Sequence, residues 1–171
     1  MASFGKALAW VLKHEGGWSD HPNDKGGPTN YGITLRLAQR YGVKDAKALF
    51  NITQAQVEDV YRTEFWRFDG LKSDAVAAKI FDMAVNMGLR TAVRYAQRAV
   101  NAVRVADKLA EDGTWGPMTE QAVNATAPSV MVENLKAFSL YHYDEIVERD
   151  PSQMVFMKGW TRRAESELPD A

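Results

Sequence analysis

The amino-acid sequence predicts a mainly α-helical protein with one small β-hairpin. Apolar residues recur every three or four positions through seven or eight segments, which is the spacing of one face of a helix. An alternation of apolar and polar residues, which would indicate half-buried strands, is almost absent. Residues 16–33 lose the helical spacing and are rich in glycine, proline, asparagine and aspartate, so a small hairpin would fit within this loop.

Capping residues predict where the N-terminal helices begin. A side-chain oxygen that can accept a hydrogen bond from the first turn of a helix precedes four apolar segments, at Ser3, Thr34, Thr53 and Ser73. Thr53 is followed three residues later by Gln56, which is the pattern of a capping box. The segment after Ser73 is the most apolar, and it is predicted to be a nearly buried central helix ending before Gly88.

The second half of the sequence predicts four more helices. They cover residues 89–100, a short stretch after Pro117, about residues 129–149 and a last segment after residues 150–152, while residues 101–116 form a polar connection. Three large apolar residues of the last two helices are expected to pack onto the central helix: Leu135, Phe138 and Trp160. No repeat or linker interrupts the chain, so residues 1–171 are predicted to form a single two-lobed unit.

Composition excludes several classes of protein. Of the 171 residues, 46% are apolar and 25% are charged, which is ordinary globular usage and unlike a disordered chain. There is no cysteine, so disulfides and thiolate metal ligands are excluded. The 21 basic and 22 acidic side chains leave a formal charge of -1, and no helix has a basic face, so binding to nucleic acid is disfavoured. The three histidines lack metal-ligand spacing, so no metal site is predicted.

Glu15 is the strongest candidate for a catalytic residue. It follows the first helix, whose C terminus carries partial negative charge, and Trp18 can exclude water, so both favour a carboxyl group that holds a proton. Cleavage of a glycosidic bond needs such a general acid together with a second, ionised carboxylate. Asp24 lies beside Gly26 and Gly27, whose flexible backbone can turn it toward Glu15. Asp20 is the alternative for the second carboxylate.

Longer motifs carry a resemblance to a known family. The string E-G-G-W at residues 15–18, followed by D-x-G-G-x-T-N-Y-G-I-T at residues 24–34, closely resembles the signature of glycoside hydrolase family 108. This family includes muramidases of bacteriophage endolysins and of bacterial secretion systems. The resemblance continues in YRTEFWRFD at 61–69 and FDMAVNMG at 81–88. DGTWGPMT at 112–119 and KGW at 158–160 are similar to the family's C-terminal peptidoglycan-binding region, so the resemblance covers essentially the whole chain.

The resemblance implies a lysozyme-like fold and an activity. The expected reaction is cleavage of the β-1,4 bond between N-acetylmuramic acid and N-acetylglucosamine in peptidoglycan, without a cofactor. By position, the catalytic glutamate of the family is Glu15, and a similar spacing in phage lysozymes supports Asp24 as the second carboxylate. Residues 1–90 would form the catalytic region, and residues 91–171 a helical peptidoglycan-binding region packed on it.

Six further residues are candidates for contacts with the glycan, although each also has a structural interpretation. Aromatic, hydroxyl and amide side chains can stack on sugars or hydrogen-bond to them, but they also form turns, caps and core contacts. These candidates are Trp18, Thr29, Asn30, Tyr31, Asn86 and Trp115. Trp66, which is close to two phenylalanines in the sequence, is instead predicted to lie in the core.

The sequence is also compatible with two functions other than hydrolysis. A lytic transglycosylase needs one acid and closes its product without water, and a silent peptidoglycan-binding module needs no acid at all. The early apolar run at residues 7–12 is too short for a membrane span or a signal peptide. We therefore expect a monomer without stable membrane association, which is made in the cytoplasm, acts on the cell wall and depends on an export system or a holin-like partner.

Overall fold

The computed structural model describes residues 1–20 and 27–169. Within these ranges the chain forms helices, one short 3₁₀ turn at Pro151–Gln153 and one antiparallel pair of strands. The elements are α1 (Phe4–Leu12), β1 (Thr29–Asn30), β2 (Ile33–Thr34), α2 (Leu35–Gln39), α3 (Ala46–Phe50), α4 (Gln54–Phe65), α5 (Asp74–Met87), α6 (Leu89–Asn101), α7 (Pro117–Ala125), α8 (Pro128–Arg149) and α9 (Met154–Glu165). The mainly α-helical fold with a small hairpin is therefore confirmed.

The predicted capping residues begin their helices. Ser3, Thr34 and Ser73 each accept a hydrogen bond from the backbone N–H three residues later. Thr53 and Gln56 form the complete capping box, in which each side chain binds the other residue's backbone N–H. These local bonds satisfy donors that the helix itself leaves free, which is why the helix starts follow closely from the sequence.

Helix α5 is the centre of the fold. Residues 75–84 are all buried, and the helix packs against α1, α6 and α8. Alanine at four of these positions lets the neighbouring helices approach closely, while Phe81 packs edge-on against Phe4 and Trp66. Trp66 is 3% exposed, so its predicted core position is confirmed. One continuous apolar core thus joins elements from the N-terminal and C-terminal parts of the chain.

The last two helices pack on the rest of the fold as expected, but Phe138 and Trp160 stack on helices other than the predicted central helix. Leu135 is fully buried in the core. The ring of Phe138 stacks on Tyr95 of α6, and the ring of Trp160 stacks on Tyr143 of α8. The ring contacts of these two residues are therefore with helices that flank α5.

The hairpin lies at residues 29–34, one residue beyond the predicted loop. Asn30 pairs with Ile33, and both turn residues between them, Tyr31 and Gly32, have positive φ angles. Two positive φ values in a two-residue turn suit the right-handed twist of the strands. No helix in the described ranges has the length and apolarity needed to cross a membrane.

Helix α3 is not predicted by the sequence. It has only five residues, so apolar spacing gives almost no signal. Asp45 caps it by accepting a hydrogen bond from the Ala48 N–H. The helix matters for the site because the carbonyls of Leu49 and Phe50 accept hydrogen bonds from the buried amide of Asn30, which fixes the hairpin in place.

Candidate active site

Glu15 lies just beyond the C-terminal end of α1. Its backbone N–H donates to the carbonyl of Val11, so the last turn of α1 fixes the position of the Glu15 backbone. The side chain is 14% exposed, and its Oε1 accepts a hydrogen bond from Nη2 of Arg163 at 2.7 Å. The carboxylate is therefore held at the surface of the core with one oxygen already bound.

The hairpin turn closes one side of Glu15. The phenol of Tyr61 on α4 donates to the carbonyl of Tyr31 at 2.7 Å and pins the turn to the core. Burial, reinforced by the charge of Glu15, raises the pKa of Tyr61, so it remains a donor. Gly32 then lies directly against Oε2 of Glu15, where a Cβ would overlap the carboxylate. Its positive φ and this close approach both require glycine.

Arg163 of α9 joins Glu15 to the central helix. Its Nε donates to Oδ1 of Asp82 at 2.7 Å while its Nη2 donates to Glu15, and its side chain is 12% exposed. Burial works against the charge of Arg163, but the carboxylates of Asp82 and Glu15 outweigh it and raise the pKa of the guanidinium. A planar guanidinium can bind two carboxylates at once in a fixed geometry, so Arg163 orients Glu15 relative to α5.

Lys79 completes this buried set of charges. Its Nζ donates to the carbonyl of Ala164 at 3.0 Å and lies 3.8 Å from Oδ2 of Asp82, and its side chain is 1% exposed. Burial lowers the pKa of Lys79 to about 8, although Asp82 opposes the shift. The bonds of Lys79, Asp82 and Arg163 thereby hold α9 against α5. Removing any one of the three side chains would leave a buried charge without its partner.

A groove opens beside this set of charges. Its volume is about 420 Å³, and basic side chains form most of its wall. We call it the basic groove; its side chains are Lys13, His14, Asn86, Trp160, Arg162 and Arg163. Asn86 was a candidate for the cleft, and here its amide lies near the carbonyl and carboxylate of Asp82, within α5, while the residue lines the groove.

The loop candidates take different positions. Trp18 packs edge-on against Phe50, partly buried, and Thr29 pairs with Ser19 through backbone hydrogen bonds. Asn30 is 5% exposed and holds α3, so its amide hydrogens serve the fold. Tyr31 is 43% exposed at the tip of the turn that touches Glu15, which makes it the most exposed of these four candidates.

The structure describes one of the two aspartates proposed as the second carboxylate. Asp24 lies outside the residues that the structure describes. Asp20 is exposed and follows Ser19, whose backbone pairs with Thr29. In the described part of the chain no three His, Asp or Glu side chains are placed to hold a metal ion.

Trp115 lies in a separate loop that is held by side-chain hydrogen bonds. Gln97 of α6 holds this loop by donating to Oδ1 of Asp112 and to the carbonyl of Thr114, and its own oxygen accepts from the Gly113 N–H. The ring of Trp115 packs edge-on against Phe68 with 4.9 Å between ring centres, and the residue is partly buried. None of these partners lines the basic groove, so Trp115 belongs to a different surface from Glu15.

Sequence reasoning missed Arg163, although two signals were available. Asp82 interrupts the apolar central helix, and a buried carboxylate needs a partner. Arg163 follows Trp160 by three residues and precedes Ala164, so it shares the apolar face of the last helix. Neither signal says which cation meets Asp82 or that the same cation also meets Glu15.

Comparisons with known proteins show which family and which solved structure this chain is similar to. Residues 8–88 match the family model described as Glycosyl hydrolase 108, and residues 91–165 match the model described as Predicted Peptidoglycan domain. The solved structure of SagA from Brucella abortus is similar to this chain, with a TM-score of 0.73 and 30% sequence identity, covering 94% of this chain and 88% of SagA. No curated protein sequence matches. The lysozyme-like, mainly α-helical fold is confirmed.

Proposed function

Since this chain belongs to the glycosyl hydrolase 108 family and is a glycoside hydrolase of peptidoglycan, we propose that it cleaves the β-1,4 bond between N-acetylmuramic acid and N-acetylglucosamine. Glu15 is the proposed general acid. The observation that carries this assignment is its carboxylate, which lies at the end of α1 against the hairpin turn and is held by Arg163. A sugar oxygen leaves readily only when a positioned acid protonates it.

The two oxygens of Glu15 have different neighbours, which supports an assignment of the donated proton. Oε1 accepts from Arg163, and a guanidinium has no acceptor, so a proton on Oε1 would face a donor. Oε2 lies against Gly32, which has no side chain, and the nearby Tyr61 phenol already donates its hydrogen to the carbonyl of Tyr31. We therefore place the donated proton on Oε2.

The second carboxylate of the proposed reaction is Asp24. We expect Asp24→Asn to reduce lysis of chloroform-treated Gram-negative cells by about 10²-fold or more, because an amide cannot act as a base or stabilise a developing cation. Asp20→Asn is the matched control, since it makes the same chemical change in the same loop and should stay within about twofold of wild type. The reverse order of losses would transfer the role to Asp20.

We further propose that residues 1–90 carry the reaction and that residues 91–171 bind peptidoglycan through a surface that includes Trp115. Trp115→Ala should reduce the amount of folded protein retained by purified sacculi by about threefold or more, because a flat aromatic ring can stack on sugar or peptide. It should also lower the free energy of unfolding by about 1–3 kcal/mol, since the ring packs on Phe68.

Val105→Ala is the control for Trp115, because Val105 is fully exposed in the same connection. Thermal unfolding and sacculus retention are measured on the same preparations. If Trp115→Ala loses stability while the folded fraction is retained as strongly as wild type, the tryptophan is only structural, and its binding role is wrong.

The test of the whole proposal is mass spectrometry of the fragments released from purified sacculi. Hydrolysis of the proposed bond yields fragments that end in a reducing N-acetylmuramic acid and have gained one water. A lytic transglycosylase yields anhydro-muramic ends of lower mass, and a silent binding module releases nothing. Fragments ending in reducing N-acetylglucosamine would show that the enzyme cuts the other glycosidic bond.

The biological setting stays a prediction. We propose an endolysin role, action in the periplasm or outside the cell, a holin-like or export partner and a monomeric state. The candidate sugar contacts of Trp18, Thr29, Asn30, Tyr31 and Asn86 likewise remain proposals, with Tyr31 and Asn86 the most favourably placed.

A further inference from the structure

The basic groove carries a charge that the proposed reaction at Glu15 does not use. Four basic side chains line it, from the end of α1 and from α9, and no acidic side chain in the described ranges does. Arg163 is compensated by Glu15 and Asp82. The side chains of Lys13 and Arg162 are exposed and, within residues 1–20 and 27–169, make no ion pair or hydrogen bond. The surplus positive charge of the groove therefore comes from these two side chains.

This concentration of charge is local. The whole chain has a formal charge of -1, so a basic groove does not follow from composition. Some exposed cations elsewhere are paired, as Arg149 is with Glu145 and Arg98 with Glu111, and others are not. Lys13 and Arg162 differ from them because both line the same groove. Unpaired cations that converge on a concave surface raise the local concentration of anions and favour an anionic ligand.

The position of the groove indicates which anion it meets. Lys13 and His14 directly precede Glu15 in the chain, and Arg163 forms part of the groove wall while it binds the Glu15 carboxylate. A glycan whose bond lies at Glu15 would therefore extend groups from its sugars into the groove. N-acetylated sugars are themselves uncharged, and the carboxylates of peptidoglycan belong to the lactyl group and to the stem peptide attached through it.

We infer that the basic groove binds the carboxylates of the peptidoglycan stem peptide, so that the enzyme prefers glycan that still carries peptides. This inference rests on the proposed function. Two separate free cations suit a ligand with more than one carboxylate. A groove of about 420 Å³ is also larger than a single lactyl group requires. Trp160 and Asn86 add an apolar surface and an amide, which suit a peptide backbone and its side chains.

The test compares two soluble substrates. One is glycan strands with intact stem peptides, and the other is the same strands after an amidase has removed the peptides and left free lactyl carboxylates. For Lys13→Gln/Arg162→Gln we expect kcat/KM on the peptide-bearing strands to fall by about 5-fold, mainly through KM, because exposed charge pairs contribute modest binding energy. On peptide-free strands the change should stay below about twofold.

The control is Lys44→Gln/Lys108→Gln, which removes the same two charges at exposed positions that do not line the groove. It should match wild type on both substrates. A loss for Lys13→Gln/Arg162→Gln on peptide-free strands alone would assign the groove to the free lactyl carboxylate and overturn the inference. An equal loss on both substrates would assign the groove to a group that both substrates share, and it would also overturn the inference. No loss on either substrate would also overturn it.

Calorimetric titration with isolated stem tetrapeptide separates this inference from the proposed function. Wild type should bind the tetrapeptide, and Lys13→Gln/Arg162→Gln should bind it several-fold more weakly, whether or not either protein cleaves glycan. If wild type cleaves neither substrate but binds the peptide through these residues, the proposed function fails and the inference stands. If wild type cleaves glycan and its affinity for the tetrapeptide equals that of the variant, the inference fails and the function stands.

Discussion

Glu15→Gln is expected to abolish lysis of permeabilised cells while leaving the fold intact. A positioned general acid contributes about 10²–10⁴-fold to a rate, and glutamine occupies the same space without a proton to donate. The fold should survive because the amide oxygen of glutamine can still accept the hydrogen bond from Arg163, and Asp82 continues to compensate the guanidinium. Turbidity loss of chloroform-treated Gram-negative cells and the thermal unfolding midpoint are measured on the same sample.

Glu58→Gln makes the same substitution at an exposed position of α4, where the carboxylate accepts a hydrogen bond from Gln54. This control should retain full activity. Clearing by Glu15→Gln at more than about a tenth of the wild-type rate would remove Glu15 from the role of general acid, since so small a loss lies outside the range of that mechanism. Loss of activity together with loss of the unfolding transition would indicate a structural role instead.

The helices follow from the sequence because their signals are local. Ser3, Thr53 and Ser73 each begin a helix through a hydrogen bond to a residue three positions on, and apolar spacing marks the face that each helix buries. Helix α3 escapes the same reasoning because five residues hold barely more than one turn. Its cap, Asp45, is equally typical of a loop.

The candidate site is harder to predict because its parts are distant in sequence. The motif around Glu15 indicates a catalytic carboxylate, but the residue that binds it, Arg163, lies 148 positions away. The sequence offers three cations within six residues of α9, Lys158, Arg162 and Arg163, and periodicity alone does not say which one reaches Asp82. Only the packing of α9 against α5 and α8 decides this.

The loop residues show a second limit. Asn30 and Tyr31 are neighbours with similar propensities for turns and for sugar contacts, yet their side chains have opposite environments in the structure. Asn30 is turned inward and binds the carbonyls of α3, while Tyr31 is exposed at the tip of the turn. Asn30 ends the first strand and Tyr31 begins the turn, so the sequence could assign Asn30 inward only after the position of the turn and the register of the hairpin were known.

The second large effect is expected for Arg163→Met. It removes the nearer of two cations beside the Asp82 carboxylate, which is 2% exposed, and leaves Lys79 at 3.8 Å. Breaking a buried ion pair on one side costs about 3–5 kcal/mol of unfolding free energy. In the protein that remains folded, kcat should fall by about 10²-fold with little change in KM, because a displaced acid is mispositioned for the reaction but not for binding. Chemical denaturation and steady-state kinetics on soluble glycan strands measure the two effects.

Arg163→Lys separates positioning from charge. Lysine keeps the positive charge, but its single nitrogen cannot donate to Asp82 and Glu15 in the fixed geometry that Nε and Nη2 provide, so stability should recover more than kcat does. Arg149→Met is the control, since Arg149 forms only an exposed pair with Glu145 and should change the unfolding free energy by less than about 1 kcal/mol. If Arg163→Met unfolds more easily but the folded enzyme keeps the wild-type kcat, then Arg163 holds α9 in place without orienting Glu15. The acid would then be positioned by the hairpin turn alone, through Gly32 and Tyr61.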